Sequence, residues 1–158
     1  AAYGAEMRRK LGLSTPRDGD DALAQGLLTC MAEQRSDFTL CFRRLADVAG
    51  GADAAELTAL FPDPSAILRW LESWRARLQN EPIAPAERAA AMRAANPAFI
   101  PRNHRVEEMI AAARAGDLGP FERLMRVLAR PYDDQPDAAD LAEPPAEGQW
   151  SYRTFCGT

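Results

Sequence analysis

Residues 63–79 read DPSAILRWLESWRARLQ, and this stretch decides the fold class. Ile67, Leu71, Trp74 and Leu78 recur at steps of three and four, which places them on one face of a helix. Asp63 is positioned as the N-cap and Pro64 in the first turn, where its missing N–H costs nothing. Arg69, Arg75 and Arg77 surround Trp70 and Trp74, a grouping that can stack on bases or meet an acidic partner. The amphipathic spacing favours another reading, with the tryptophans in a core or interface and the arginines on a solvated face.

The same periodicity extends in both directions. A short helix runs from about Ala5 to Leu13, with Gly12 as its stop. Asp18 or Asp20 is expected to cap a helix to about Gln34 whose buried stripe is Leu23, Leu27, Cys30 and Met31. Ser36 or Asp37 starts the next, with Phe38, Cys41, Phe42, Leu45 and Val48 inward and Gly50-Gly51 at its end. Asp53 with Glu56 resembles a capping box for a short helix to about Phe61. PAERAAAMRAAN, residues 85–96, reads as a helix ended at Asn96, because the residue before Pro97 is pushed out of the α region. Helices are also expected from Asn103 to Ala115, with Gly116 at the left-handed stop, and from Asp117 to Pro131, with Phe121, Leu124, Met125 and Leu128 inward. The expected fold is therefore all-α, an irregular helical domain of about seven or eight helices.

Beyond Pro131 the character changes. PYDDQPDAADLAEPPAEGQWSYRTFCGT is proline-rich and acidic, without helical periodicity beyond a turn around Asp137 to Leu141. The domain organisation that follows is a helical domain over 1–130 and an extended C-terminal arm over 131–158. Fully extended, the arm reaches at most about 80 Å from Pro131 to Cys156, and Trp150, Tyr152 and Phe155 offer it a docking edge.

Composition bounds the function. A chain of 158 residues suffices for one domain that buries roughly 70% of its unfolded surface. Alanine and arginine dominate, and long stretches consist of good helix formers such as Ala, Leu, Glu, Arg and Met. The net charge of −4 disfavours a general nucleic-acid binder, since phosphate neutralisation needs a basic excess. No apolar run is long enough to span a bilayer and no leader opens the sequence, so no membrane partner is expected. Three scattered cysteines argue for a reducing compartment, the cytoplasm, over a disulfide framework. The first residue is alanine, and YGAEMRRKLGL reads as a helix already under way, as in a piece of a longer protein.

Motifs for chemistry are sparse. His104 is the one histidine, and Glu107 shares its helix face, but a metal site needs further ligands, so a surface or capping histidine is expected. There is no GxGxxG, no GxxxxGK[ST] and no GxSxG, which excludes the familiar phosphate cradles and serine nucleophile elbows. Arg102 or Arg130 can pair with Asp133 or Asp134 to staple a proline-defined turn. Cys30 and Cys41 fall on apolar helix faces as small, inert hydrophobes. Cys156, two residues from the end, is either an incidental exposed thiol or a functional one.

The segments MRRKLGL, DFTLCFRRLAD, NPAFIPRNH, GDLGPFERLMRVLARPYDDQP and the terminal YRTFCGT, in that order and spacing, resemble the C-terminal part of the selenoprotein O family. The resemblance runs from about Tyr3 to Thr158. It implies a parent protein with a kinase-like fold, called a pseudokinase, that binds ATP in an inverted orientation. Such a parent transfers AMP from ATP to hydroxyl side chains of protein substrates, with magnesium or manganese. The family's nucleotide-binding, metal-binding and catalytic-base residues lie upstream, so the resemblance implies no catalytic, cofactor or metal residue here. This chain would be inactive alone, with the upstream kinase-like region as its partner. Cys156 matches the family's cysteine or selenocysteine third from the C-terminus, which implies a redox bridge to a cysteine upstream, matched by neither Cys30 nor Cys41. The alternative is a free-standing helical module without enzymatic activity, contacting a protein through Trp70, Trp74 and the aromatics of the arm.

Overall fold

A computed structural model describes residues 2–146, and every regular element among them is helical. The α-helices are α1 (Ala2–Lys10), α2 (Asp20–Gln34), α3 (Phe38–Ala49), α4 (Ala55–Thr58), α5 (Ser65–Leu78), α6 (Pro85–Ala95), α7 (Asn103–Arg114), α8 (Gly119–Leu128) and α9 (Ala139–Ala142). A single 3-10 turn, Pro136–Ala138, precedes α9. The all-α expectation holds, and α9 forms where only a turn was expected.

Two units make up the chain, Ala1–Pro97 and Ala98–Thr158. The sequence places a boundary at Pro131, yet the described residues on either side of it belong to one unit. Ala138 and Leu141 are buried with Phe99, Leu124 and Val127 in that unit's core, and the N–H groups of Ala98 and Phe99 both donate to the Pro131 carbonyl, at 2.8 and 3.1 Å. Two buried side chains in a dozen residues are too few to show periodicity in a sequence. Residues 147–158, with Trp150, Tyr152, Phe155 and Cys156, lie outside the described residues.

In the first unit α2 packs on α5, α1 on α2 and α6, α6 on α3, and α3 on α4. The helix that opened the reading supplies its centre: Ile67, Trp70, Leu71, Trp74 and Leu78 are all buried. Trp70 and Trp74 stack at 5.8 Å between ring centroids, 16° from parallel. Each indole finds a backbone acceptor, Trp74 Nε1 donating to the Leu11 carbonyl at 2.9 Å and Trp70 Nε1 to that of Leu23 at 2.8 Å. Burying a tryptophan with its N–H paired contributes roughly 3–5 kcal/mol, judged by the usual cost of truncation to alanine.

Caps follow the sequence in some places and depart from it in others. Asp37 accepts from Leu40 N at 2.8 Å and starts α3 as expected, and Asp63 accepts from Ser65 N at 2.9 Å ahead of α5. Neither Asp18 nor Asp20 caps α2: its N-cap is Gly19, in the left-handed region, and Asp20 is buried facing Arg77. The capping box also fails, since Asp53 accepts from Ala55 N while Glu56 turns to Arg44 at 3.0 Å.

The second unit packs α7 on α8. In α8 the inward side chains are Leu124 and Val127, while Phe121 and Met125, expected inward, are 42% and 53% exposed. Its apolar arc is wider than the unit covers. Gln135 Nε2 donates to the carbonyls of Val127 and Arg130 at 3.1 and 2.9 Å, serving the free C-terminal end of α8. Of the expected staples, Arg130 meets Asp133 at 3.6 Å.

Gly12, at φ +72°, closes α1 at a crowded point: a Cβ there would lie 2.7 Å from Met92 Sδ and 2.8 Å from Arg88 Cγ. Gly19, at φ +92°, has nothing within 4 Å of that position. Gly12→Ala is therefore expected to cost about 2–4 kcal/mol, backbone strain plus the clash, and Gly19→Ala only about 1 kcal/mol. Equal shifts in denaturant midpoint would contradict the close packing of α1 on α6.

Candidate functional site

The most heavily hydrogen-bonded side chain of the first unit is a carboxylate. Glu81, just past α5, accepts from Ser14 N at 2.8 Å and Thr15 N at 3.3 Å, from the hydroxyl of Ser14, from Thr15 Oγ1 at 2.8 Å and from Arg77 Nη1 at 2.5 Å. Arg77 continues the network, Nε donating to Asp20 Oδ1 at 2.8 Å and Nη2 to the Thr15 carbonyl at 2.6 Å. Burial by itself pushes the Glu81 carboxyl up, but the hydrogen bonds from Ser14, Arg77 and Thr15 outweigh it and hold the pKa at about 2. Arg77 is raised in turn, chiefly by its hydrogen bond to Asp20. Every donor here is committed to a protein acceptor, so the cluster is a clamp between α5, α2 and the α1–α2 connection. Arg77, expected on the solvated face, is its centre.

A second cluster closes the C-terminal end of α6. Asn96, 1% exposed, donates to the carbonyls of Lys10 and Met92 at 3.0 and 2.9 Å and accepts from Lys10 Nζ at 3.2 Å. Lys10 also donates to the Ala95 carbonyl at 3.0 Å, and burial lowers its pKa. The chain's one lysine is thus committed to helix-end carbonyls.

A concavity of about 740 Å³ lies between α3, α4 and α6. Its charges run in a chain: Glu56 to Arg44 at 3.0 Å, Arg44 to Asp47 at 3.5 Å, Asp47 to Arg93 at 2.6 Å. No serine, cysteine, histidine or lysine lines it; its ionisable acids are Asp47, Asp53 and Glu56. Asp53 adds a third carboxylate beside the two arginines, so this is a polar contact groove with a slight acidic excess.

The sequence-selected residues scatter. His104 is buried, at 5% exposed, where a surface or capping role was expected; burial, reinforced by Arg105, holds its imidazole below the ordinary histidine range. Glu107 is exposed on the same helix. Trp70 and Trp74 are core, which removes them as contact residues of a free-standing module. Cys30 and Cys41 are buried free thiols, the latter pushed up to about 12, first by burial and then by Asp37, and so unreactive at neutral pH. The Cys156 assignment lies outside the described residues.

Among the described residues no group of three or more His, Cys, Asp or Glu is placed to hold a metal ion. No described helix is long and apolar enough to cross a membrane. Sequence reading missed Glu81, Asn96 and the Arg44–Arg93 groove. The Arg77–Glu81 spacing of four was the one visible signal for the clamp.

The described residues define an all-α protein whose buried charges are tied into ion pairs and helix ends. Residues 1–129 match the family model described as Protein adenylyltransferase SelO. The chain is 57% identical over 158 residues to a protein nucleotidyltransferase YdiU of Bradyrhizobium sp. (strain ORS 278), covering 99% of this chain and 32% of that one. It is 58% identical over 166 residues to a protein of the same name from Methylorubrum extorquens, covering 100% and 33%, and 56% over 154 residues to that of Rhizobium meliloti (strain 1021), covering 96% and 31%. The chain belongs to the SelO/YdiU nucleotidyltransferase family and spans about a third of the length of the curated relatives it matches.

Two measurements check the electrostatics. Glu81's folded pKa of about 2 lies below the unfolded value of 4.5, so its stabilisation is complete above about pH 4.5 and is lost as pH falls toward 2. Glu81→Gln should cost roughly 2–4 kcal/mol at pH 7, with the difference from wild type shrinking below pH 4. His104, the only imidazole, should titrate by NMR with a midpoint below 6.5; a midpoint above 6.5 would contradict its burial.

Proposed function

We propose that this chain is the late helical part of a protein adenylyltransferase, a member that transfers AMP from ATP to Ser, Thr or Tyr hydroxyls of other proteins. The observation that carries the reading is the family match over residues 1–129, alongside relatives three times as long that bear the name nucleotidyltransferase. On this reading ATP and the magnesium or manganese ion are held by a region preceding this chain. The part described braces that region, a pseudokinase-like fold on this reading, and is its partner within one polypeptide. By itself the chain is catalytically silent. The cytoplasm is the compartment that suits its two buried free thiols.

The redox part of the reading rests on Cys156. Its thiol and a second thiol upstream would join as a disulfide, two electrons and two protons passing to an oxidant such as glutathione disulfide. The bridge would make activity or conformation sensitive to redox state.

Transfer of labelled AMP from ATP onto protein tests both parts. The chain extended to the full length of its relatives should label protein, and residues 1–158 alone should not. Labelling by the short chain would overturn the placement of the catalytic region. Oxidation should change activity and remove two thiols in the extended protein, and Cys156→Ser should abolish both effects; an unchanged thiol count would end the redox reading.

A further inference from the structure

Arg88, in α6, is 7% exposed, yet its guanidinium donates a single hydrogen bond among the described residues, Nη2 to the Ile83 carbonyl at 2.9 Å. Its Nε is buried without a partner, and no carboxylate pairs with it. A buried cation in that condition is costly, because desolvation is not repaid by an opposite charge. The neighbouring clamp shows the contrast: Arg77 meets two carboxylates and a carbonyl.

Arg88 also lines a cavity of about 330 Å³, within the usual range for small-ligand sites. Leu13, Ile83, Ala91 and Ala94 give this cavity apolar walls, and Arg9 stands at its rim, paired with Glu6 at 3.0 Å. Ser14 reaches it too, but both its N–H and hydroxyl are spent on Glu81. Phosphate, which needs several converging donors, is poorly served by one incompletely used guanidinium. A carboxylate needs fewer, and a short aliphatic body suits the walls.

We propose that this cavity is a binding site for a carboxylate carried on a short aliphatic body, with Arg88 as its counter-ion. The carboxylate comes either from a free small molecule or from an acidic side chain of the longer polypeptide; the chemistry is shared. The proposal is independent of the adenylyl-transfer reading, since it uses only residues of the first unit.

Butyrate is the probe, with butylamine and inorganic phosphate as controls, followed by amide chemical shifts of the 158-residue chain. Butyrate should give saturable shifts at Leu13, Ile83 and Arg88 that neither control reproduces. Arg88→Met should weaken binding at least tenfold, with Arg88→Lys intermediate. Ala94→Leu, on an exposed helical position, should block the cavity and weaken binding similarly while leaving the thermal melt unchanged. Absence of saturable shifts, phosphate binding as well as butyrate, or full affinity in Ala94→Leu would each overturn the proposal. Repeating the titration on the full-length protein separates the sources. Binding retained there identifies a free ligand, and binding lost only there identifies an internal carboxylate.

Discussion

The carboxylate of Glu81 is the acceptor on which the first unit converges. It takes donors from the Ser14-Thr15 backbone and side chains and from Arg77, and Arg77 passes the connection to Asp20 at the start of α2. Three pieces of chain that share no continuous apolar stripe are thereby fixed to one another. Trp74 fixes the same connection from the apolar side through its hydrogen bond to Leu11. Trp74 and Arg77 lie one turn apart on α5 and Glu81 sits just past its end, so this end of the helix carries both the hydrophobic anchor and the polar one. Removing Arg77 would leave Asp20 and Glu81 buried without their shared cation, a loss of roughly 3–5 kcal/mol for such pairs, comparable with truncating a core aromatic.

What could be read from the sequence was what local spacing controls. The faces of α2, α3 and α5 followed largely from apolar residues at three- and four-residue steps, although Phe38, expected inward, is 49% exposed at the start of α3, and the ends at Asp37, Gly50 and Asn96 followed from short-range cap and proline chemistry. Asp20 was misread because its alternatives differ only in a partner 57 residues away. The closing segment after Pro131 was misread for a different reason: Ala138 and Leu141 bury against a core assembled elsewhere in its unit, and two contacts make no period. In α8 the apolar arc was visible, but which half a neighbour covers is not encoded in the helix itself. The groove joining Arg44 and Arg93 was not legible, because its charges come together only when α3, α4 and α6 pack.

The economy of charge explains why a chain with nineteen basic residues carries no phosphate cradle among its described residues. Arg43 donates to carbonyls at the end of α6, Arg93 and Arg44 hold acidic side chains, and Arg123 grips Asp140 with two bonds of 2.7 Å. Arginine suits this work, since its planar fork satisfies two acceptors at once and its charge survives burial. Cations committed to helix ends and ion pairs are poor candidates for gripping a nucleotide.

Arg77 and Arg88 show that rule and its exception within one unit. Both guanidiniums are largely buried and both serve the backbone, Arg77 at the Thr15 carbonyl and Arg88 at that of Ile83. Arg77 is then neutralised by Asp20 and Glu81, whereas Arg88 faces apolar walls. If Arg88 served only to hold Ile83, a neutral donor would do so without the cost of an uncompensated charge. Its long stem also packs under Gly12, where no other residue's Cβ would fit, so the position of the guanidinium is imposed by the close approach of α1 to α6. A cation held in place by packing, beside a cavity and without an anion, is a feature that packing alone leaves unexplained.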